Sequence, residues 1–141
     1  NFLFSANKGS DYKELNKVAS GGELSRVMLS IKSLIAKLIS LPAIIFDEID
    51  TGVSGDVADK VGNIMMEMAE TMQVIAITHL PQIAGKGEVH LFVYKEDVGN
   101  KTFTKIKTLN KAERVMEIAK MLSNENPTNA AIKNAKELLK A

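Results

Sequence analysis

The sequence predicts an α/β fold, a mostly parallel sheet with flanking helices and a late antiparallel hairpin, and three observations carry that prediction. Two short apolar runs, Ala43-Ile44-Ile45-Phe46 and Val74-Ile75-Ala76-Ile77-Thr78, bracket a segment of helical period. Strand, helix and strand in that order make a βαβ unit, which implies parallel strands joined by a right-handed crossover. Further on, strands near 89–95 and 102–108 flank Gly99-Asn100, a turn that reads as a hairpin.

Each element follows from its own pattern. Residues 2–6 open as a short strand with Phe2-Leu3-Phe4, and 7–16 form a polar loop. From Leu24 the apolar positions fall at 24, 27, 28, 31, 34, 35 and 38, a helix with one wide apolar face that Pro42 ends. The first apolar strand stops at three acids, Asp47, Glu48 and Asp50. Thr51-Gly52-Val53-Ser54-Gly55 is a turn, with Ser54 placed to cap the next helix. That helix sets Val57, Val61, Ile64, Met65, Met68 and Met72 on one face, and the second strand ends at His79. Asn110 and Glu113 have the spacing of a capping box before a helix that turns Val115, Ile118, Ala119 and Leu122 inward. Asn126-Pro127 opens a last helix with Ile132, Ala135, Leu138 and Leu139 inward.

Composition narrows the class. A length of 141 residues suits one domain, over 1–141, and a 45% apolar, 25% charged content is that of a soluble globular chain. Eighteen basic residues against seventeen acidic give +1, which is no footprint for nucleic acid, so DNA contact is weak here or lies elsewhere. The absence of cysteine excludes disulfides, thiol catalysis and cysteine-bound metal, and fits a reducing cytoplasm. No apolar run approaches the ~20 residues of a membrane helix, and no signal peptide opens the chain. Asn1 leads straight into a strand pattern, so the sequence reads as a piece of something longer.

Three motifs carry chemistry. Ala19-Ser20-Gly21-Gly22-Glu23 precedes the long helix. As local structure it is a capping box, with Ser20 as cap and Glu23 reaching back. That leaves the glycines unexplained, because each costs about 1 kcal/mol relative to Ala within a helix. Bare backbone at a helix N-terminus makes an anion site suited to phosphate. Next, Asp47-Glu48 stands at the C-terminal edge of a parallel strand, where open α/β sheets bind ligands. Adjacent side chains diverge, so Asp47 suits a hydrated Mg²⁺ and Glu48 a water, although a polar strand end is the plainer alternative. Finally, His79 ends the neighbouring strand, 32 positions after Asp47, and so shares that edge. A lone histidine is more often structural; there it can reach a phosphate oxygen.

In this order and spacing the three resemble the signature motif, Walker B motif and switch histidine of ABC-type ATPases. Phe4-Ser5-Ala6-Asn7, Val18 to Arg26, Ile45 to Gly55 and Thr78-His79-Leu80-Pro81-Gln82-Ile83-Ala84 are similar, more narrowly, to the heads of SMC-like proteins of bacterial DNA repair. The resemblance implies the C-terminal half of an ABC/SMC-type P-loop ATPase head, in which two heads sandwich two ATP molecules. It implies that Asp47 serves Mg²⁺, Glu48 polarises the hydrolytic water and His79 touches the γ-phosphate. Ser20, Gly21 and Gly22, with Glu23 in the same motif, would reach the γ-phosphate held by the opposing head. Asp50 matches the D-loop aspartate that communicates between the two sites. Arg26 is expected to be solvated, though a relay of closure is the alternative. The implied partners are a second copy of the head, a lobe carrying the Walker A loop, and DNA through a longer protein, in the cytoplasm at the nucleoid and not at a membrane. Ala19 and Glu23 replace the Leu and Gln of many ABC proteins, as in the SMC branch.

The Walker A pattern occurs nowhere in the sequence, since Gly85-Lys86-Gly87 lacks the spacing and the hydroxyl. No heptad run occurs either. The chain alone is therefore expected to be inactive. Two other readings stay open: the nucleotide-binding subunit of a transporter, and an interaction module that keeps the fold without the chemistry.

Overall fold

The computed structural model describes residues 3–5, 9, 11–14 and 21–140, without side-chain detail at 21, 23 and 37. It divides into two compact units, residues 1–79 and 80–141.

In the first unit, β1 (Leu3–Phe4) pairs antiparallel with β2 (Lys13–Glu14). Helix α1 (Gly21–Ile39), strand β3 (Ala43–Asp47), helix α2 (Gly55–Ala69) and strand β4 (Gln73–Ile77) follow. β3 and β4 run parallel from Ala43↔Gln73 to Asp47↔Ile77, which is the expected βαβ unit. The parallel component is narrower than expected: among the described residues it is this one pair, beside two antiparallel pairs. Phe46 is buried on one face of β3, with Lys32 Nζ of α1 6.0 Å from its ring centroid. α1 packs against α2, and the buried positions Leu29, Ala36, Ala58, Val61, Met65 and Met68 fill this core.

Two sequence expectations change here. The wide apolar face of α1 is not covered: Leu29 and Ala36 are buried, whereas Leu24, Met28, Leu34, Ile35 and Leu38 are exposed. Leu29 and Ala36 fall outside that stripe, so the buried side of the helix is not the one the period marked. Ser54 holds the extended N-cap conformation of α2, but its side chain makes no capping bond. Met72 lies past the helix end yet is buried, because a tight turn returns its N–H to the Met68 carbonyl at 3.2 Å.

In the second unit, α3 (Pro81–Ala84) is one turn with proline at its start, missed by periodicity because a single turn has none. β5 (Leu91–Val98) and β6 (Lys101–Thr108) pair antiparallel, closing at Val98↔Lys101 over Gly99-Asn100. Gly99 has φ +61°, which a II′ turn demands at its first central residue. α4 (Lys111–Leu122) starts with a complete capping box. Asn110 Oδ1 accepts from the Ala112 and Glu113 amides at 2.9 and 3.0 Å, and Glu113 accepts from the Asn110 amide at 2.8 Å. α5 (Asn129–Leu138) starts later than Asn126-Pro127: Thr128 is its cap and accepts from Ala131 N at 3.2 Å. Ile118, Ala119, Ala131 and Ala135 form the core between α4 and α5, the small alanines letting the helices approach. Among the described residues, no helix is long and apolar enough to cross a membrane.

Candidate functional site

The parallel pair ends in a small polar edge. Asp47 is the last residue of β3, opposite Ile77, and is exposed. The chain then turns sharply. Glu48 N donates to the Ile77 carbonyl at 3.1 Å, which keeps it beside β4 for one more residue. Its own carbonyl accepts from Thr51 N at 3.2 Å and Thr51 Oγ1 at 2.9 Å. Glu48 makes these three bonds with φ +47°, in the left-handed region that side chains avoid. Its carboxylate is exposed at that bend. Backbone strain at a non-glycine residue is held where the surroundings over-determine it, and such residues gather at functional sites.

The same turn folds Asp50 inward. Its side chain is 0% exposed, and its Oδ2 accepts from Thr78 Oγ1 and, at 3.3 Å, from His79 N. His79 Nδ1 lies 3.5 Å from the same oxygen, with the His79 side chain 67% exposed. Asp47, Glu48, Asp50 and His79 are thus gathered at one end of β3 and β4, as the strand order requires. Thr78 was missed by sequence reasoning; a hydroxyl just before the strand-end histidine is the signal that finds it.

The glycine motif meets this edge as well. A Cβ built on Gly22 would stand 3.3 Å from the carbonyl oxygens of both Thr51 and Gly52, and 3.4 Å from Arg26 Nη1. The start of α1 therefore lies against the turn that follows Asp50, and Gly22 is small because backbone passes there. Gly52, φ +73°, completes the close approach. Arg26 is half-buried, not solvated as expected. Gly21 and Glu23 lie on the first turn of α1, and Ser20 falls outside the described residues.

Among the described residues no group of three or more metal-ligating side chains occurs. That still fits Mg²⁺, which takes one or two carboxylates and completes its shell with phosphate and water. Asp47 and Glu48 are the exposed carboxylates at this strand end.

The second histidine, His90, sits in the other unit. Burial lowers its pKa, the Arg114 guanidinium lowers it further, and its bond to the Ala84 carbonyl raises it. Nε2 donates to that carbonyl at 2.7 Å, while Arg114 Nη1 donates to the Glu88 carbonyl at 2.8 Å. This is a structural histidine.

No protein-family description matches the chain. The fold resembles a solved SMC ATPase from a study of ATP-driven dimerization and DNA-stimulated activation, with TM-score 0.66 and 23% identity over 84% of this chain and 70% of that one. An SMC head solved with the C-winged helix domain of ScpA gives TM-score 0.58 and 24% identity over 74% and 31%. The DNA repair protein RecN of Rickettsia prowazekii is 50% identical over 139 residues, 98% of this chain and 25% of that protein. This is a RecN-like segment with the fold of an SMC ATPase head. RecN of Bacillus subtilis is 48% identical over 99% of the chain and 24% of its own length. The RecN-like chain thus spans about a quarter of the curated relatives it matches.

Proposed function

We propose that the chain is the signature and Walker B half of an ATPase head that acts in DNA double-strand-break repair and recombination. The observation that carries this reading is the Asp47-Glu48 pair at the C-terminal edge of a parallel pair, with His79 two residues past the end of the adjacent strand. An interaction module that had lost its chemistry would have no use for a strained Glu48, because glycine fits φ +47° at less cost. A transporter subunit is disfavoured by the relatives, which are repair proteins.

In this reading Glu48 orients and deprotonates the attacking water, a role worth roughly 10²–10⁴-fold within hydrogen-bond reach. His79 hydrogen-bonds the γ-phosphate. Asp47 holds Mg²⁺, which would neutralise charge on the phosphate oxygens of ATP. Gly21, Gly22 and Glu23 open α1, whose unpaired amides and positive dipole end favour the γ-phosphate carried by a second head, and Ser20 of the same motif joins them in that role. Asp50 links the turn to His79.

A lobe bearing Walker A completes the head. Ile45, Ile75 and Ile77 share one exposed face of β3–β4, and parallel strands are ordinarily covered on both faces. DNA is gripped by other parts of the longer protein, consistent with the near-zero charge here. The site of action is the cytoplasm, at the nucleoid.

The test is Glu48→Gln in the full-length protein. It keeps size, so ATP binding and head closure persist, while hydrolysis stops and closed dimers accumulate. Turnover at the parental rate removes Glu48 as the base. The chain alone, tested by calorimetry with Mg-ATP, is expected to show no micromolar binding.

A further inference from the structure

Asp50 is a fully buried carboxylate whose donors all converge on one oxygen. Oδ2 takes Thr78 Oγ1 and His79 N, and lies 3.5 Å from His79 Nδ1. Oδ1 is buried and has no partner among the described residues. A buried carboxylate with one oxygen left unpartnered is costly to a fold. Such a group persists where its orientation serves something else. Two donors fixed by the end of β4, one of them backbone, set that orientation, and it brings Oδ2 toward the His79 ring.

We propose that Asp50 is a positioning residue for His79, holding the ring by Nδ1 and leaving Nε2 on the open side. The 3.5 Å separation is an ion-pair distance and is longer than a good N–H···O bond of about 2.9–3.0 Å. Hydrogen bonds of catalytic groups are often long before ligand binds and tighten in the complex. The nitrogen held by a neighbour fixes what the other can do. With its proton on Nδ1, neutral His79 offers a lone pair at Nε2; once protonated, it donates there to an anionic oxygen. An exposed ring without Asp50 would place its proton on either nitrogen. Fully buried, Asp50 has no surface to present to a second head, so any communication between sites runs through His79. Its effect on turnover rests on the ATPase reading above; the tautomer of His79 does not.

Two histidines make the test direct. Long-range ¹⁵N–¹H spectra of the 141-residue chain, at a pH where both rings are neutral, report which nitrogen carries each proton. His90, bonded through Nε2 to the Ala84 carbonyl at 2.7 Å, is the internal reference. His79 is expected in the Nδ1–H form in the parent and as a tautomer mixture in Asp50→Asn, with His90 unchanged. A mixture at His79 in the parent overturns the proposal whether or not any variant folds. In the full-length protein, Asp50→Asn is expected to lower kcat by roughly ten-fold, as loss of an orienting partner does. KM for ATP stays nearly constant, and no further loss occurs on top of His79→Ala. Independent losses in the double variant overturn a role through His79. If the full-length protein lacks ATPase activity altogether, the ATPase reading fails, and the spectra still decide for or against Asp50.

Discussion

Glu48 offers a test in which glycine should stabilise and alanine should not. Its φ of +47° costs a side-chain-bearing residue roughly 1–2 kcal/mol, and the three hydrogen bonds at its N–H and carbonyl hold it there. Glycine adopts this conformation freely but loses about 0.5–1 kcal/mol more entropy than alanine on ordering. The difference leaves Glu48→Gly more stable than Glu48→Ala by about 0.7 kcal/mol, the opposite order to an ordinary extended site. The carboxylate is exposed, so neither change removes buried contacts. Urea denaturation followed by circular dichroism is the assay. With m about 2 kcal/mol/M, the midpoint of the glycine variant should lie about 0.3–0.4 M above that of alanine at unchanged m. Equal midpoints, or alanine ahead, would refute the strain argument. In the full-length protein both variants should lose hydrolysis, so stability is given up at this position to keep a carboxylate.

Further outcomes follow from other positions. A Cβ at Gly85 would stand 3.0 Å from the Pro81 carbonyl oxygen and 3.1 Å from both Leu138 Cβ and the Leu138 carbonyl oxygen. Gly85→Ala should therefore destabilise the second unit by about 1–3 kcal/mol in chemical denaturation, as overpacking does; no change would mean the backbone yields there. His90 is held below its ordinary 6.5, chiefly by burial and then by Arg114, so the unfolded chain takes up its proton first. The stability this contributes is complete above pH 6.5 and declines as pH falls from there toward the folded value. His90→Gln should flatten that decline in thermal melts, and an unchanged slope would locate it in another group. Glu113 is lowered by its bond to the Asn110 amide and then by Lys107, so its stabilisation is present above 4.5 and disappears as pH falls through the folded value. Asp ranks with Ser as an N-cap residue type, so Ser20→Asp should leave stability within about 0.5 kcal/mol, while ATP-dependent head closure in the full-length protein should be lost to charge repulsion. Closure and turnover at parental levels would refute a role for Ser20 at the phosphate.

Much of the chain was legible because its signals are local. The βαβ unit follows from two apolar runs and a 3.6-residue period between them, and the capping box at Asn110 from residues three apart. The order Asp47-Glu48, then His79, fixes which strand ends share an edge once the strands are parallel. What tertiary structure alone decided depends on residues distant in sequence. Ser54 has the cap's conformation without its bond, and Thr128, not Asn126-Pro127, starts the last helix. Leu24, Met28 and Leu38 follow the period read from the sequence, yet Leu29 and Ala36, which lie off it, are the ones buried, since periodicity marks an apolar stripe without naming its partner. Gly22 is small for a neighbour, the 51–52 turn, that no pattern around it records. Asp50 stands beside Asp47 and Glu48 in sequence, but the bend at Glu48 turns it inward to Thr78 and His79. A sequence sets which side chains alternate along a strand; where the strand ends, the direction of each carboxylate belongs to the turn and to what the turn packs against.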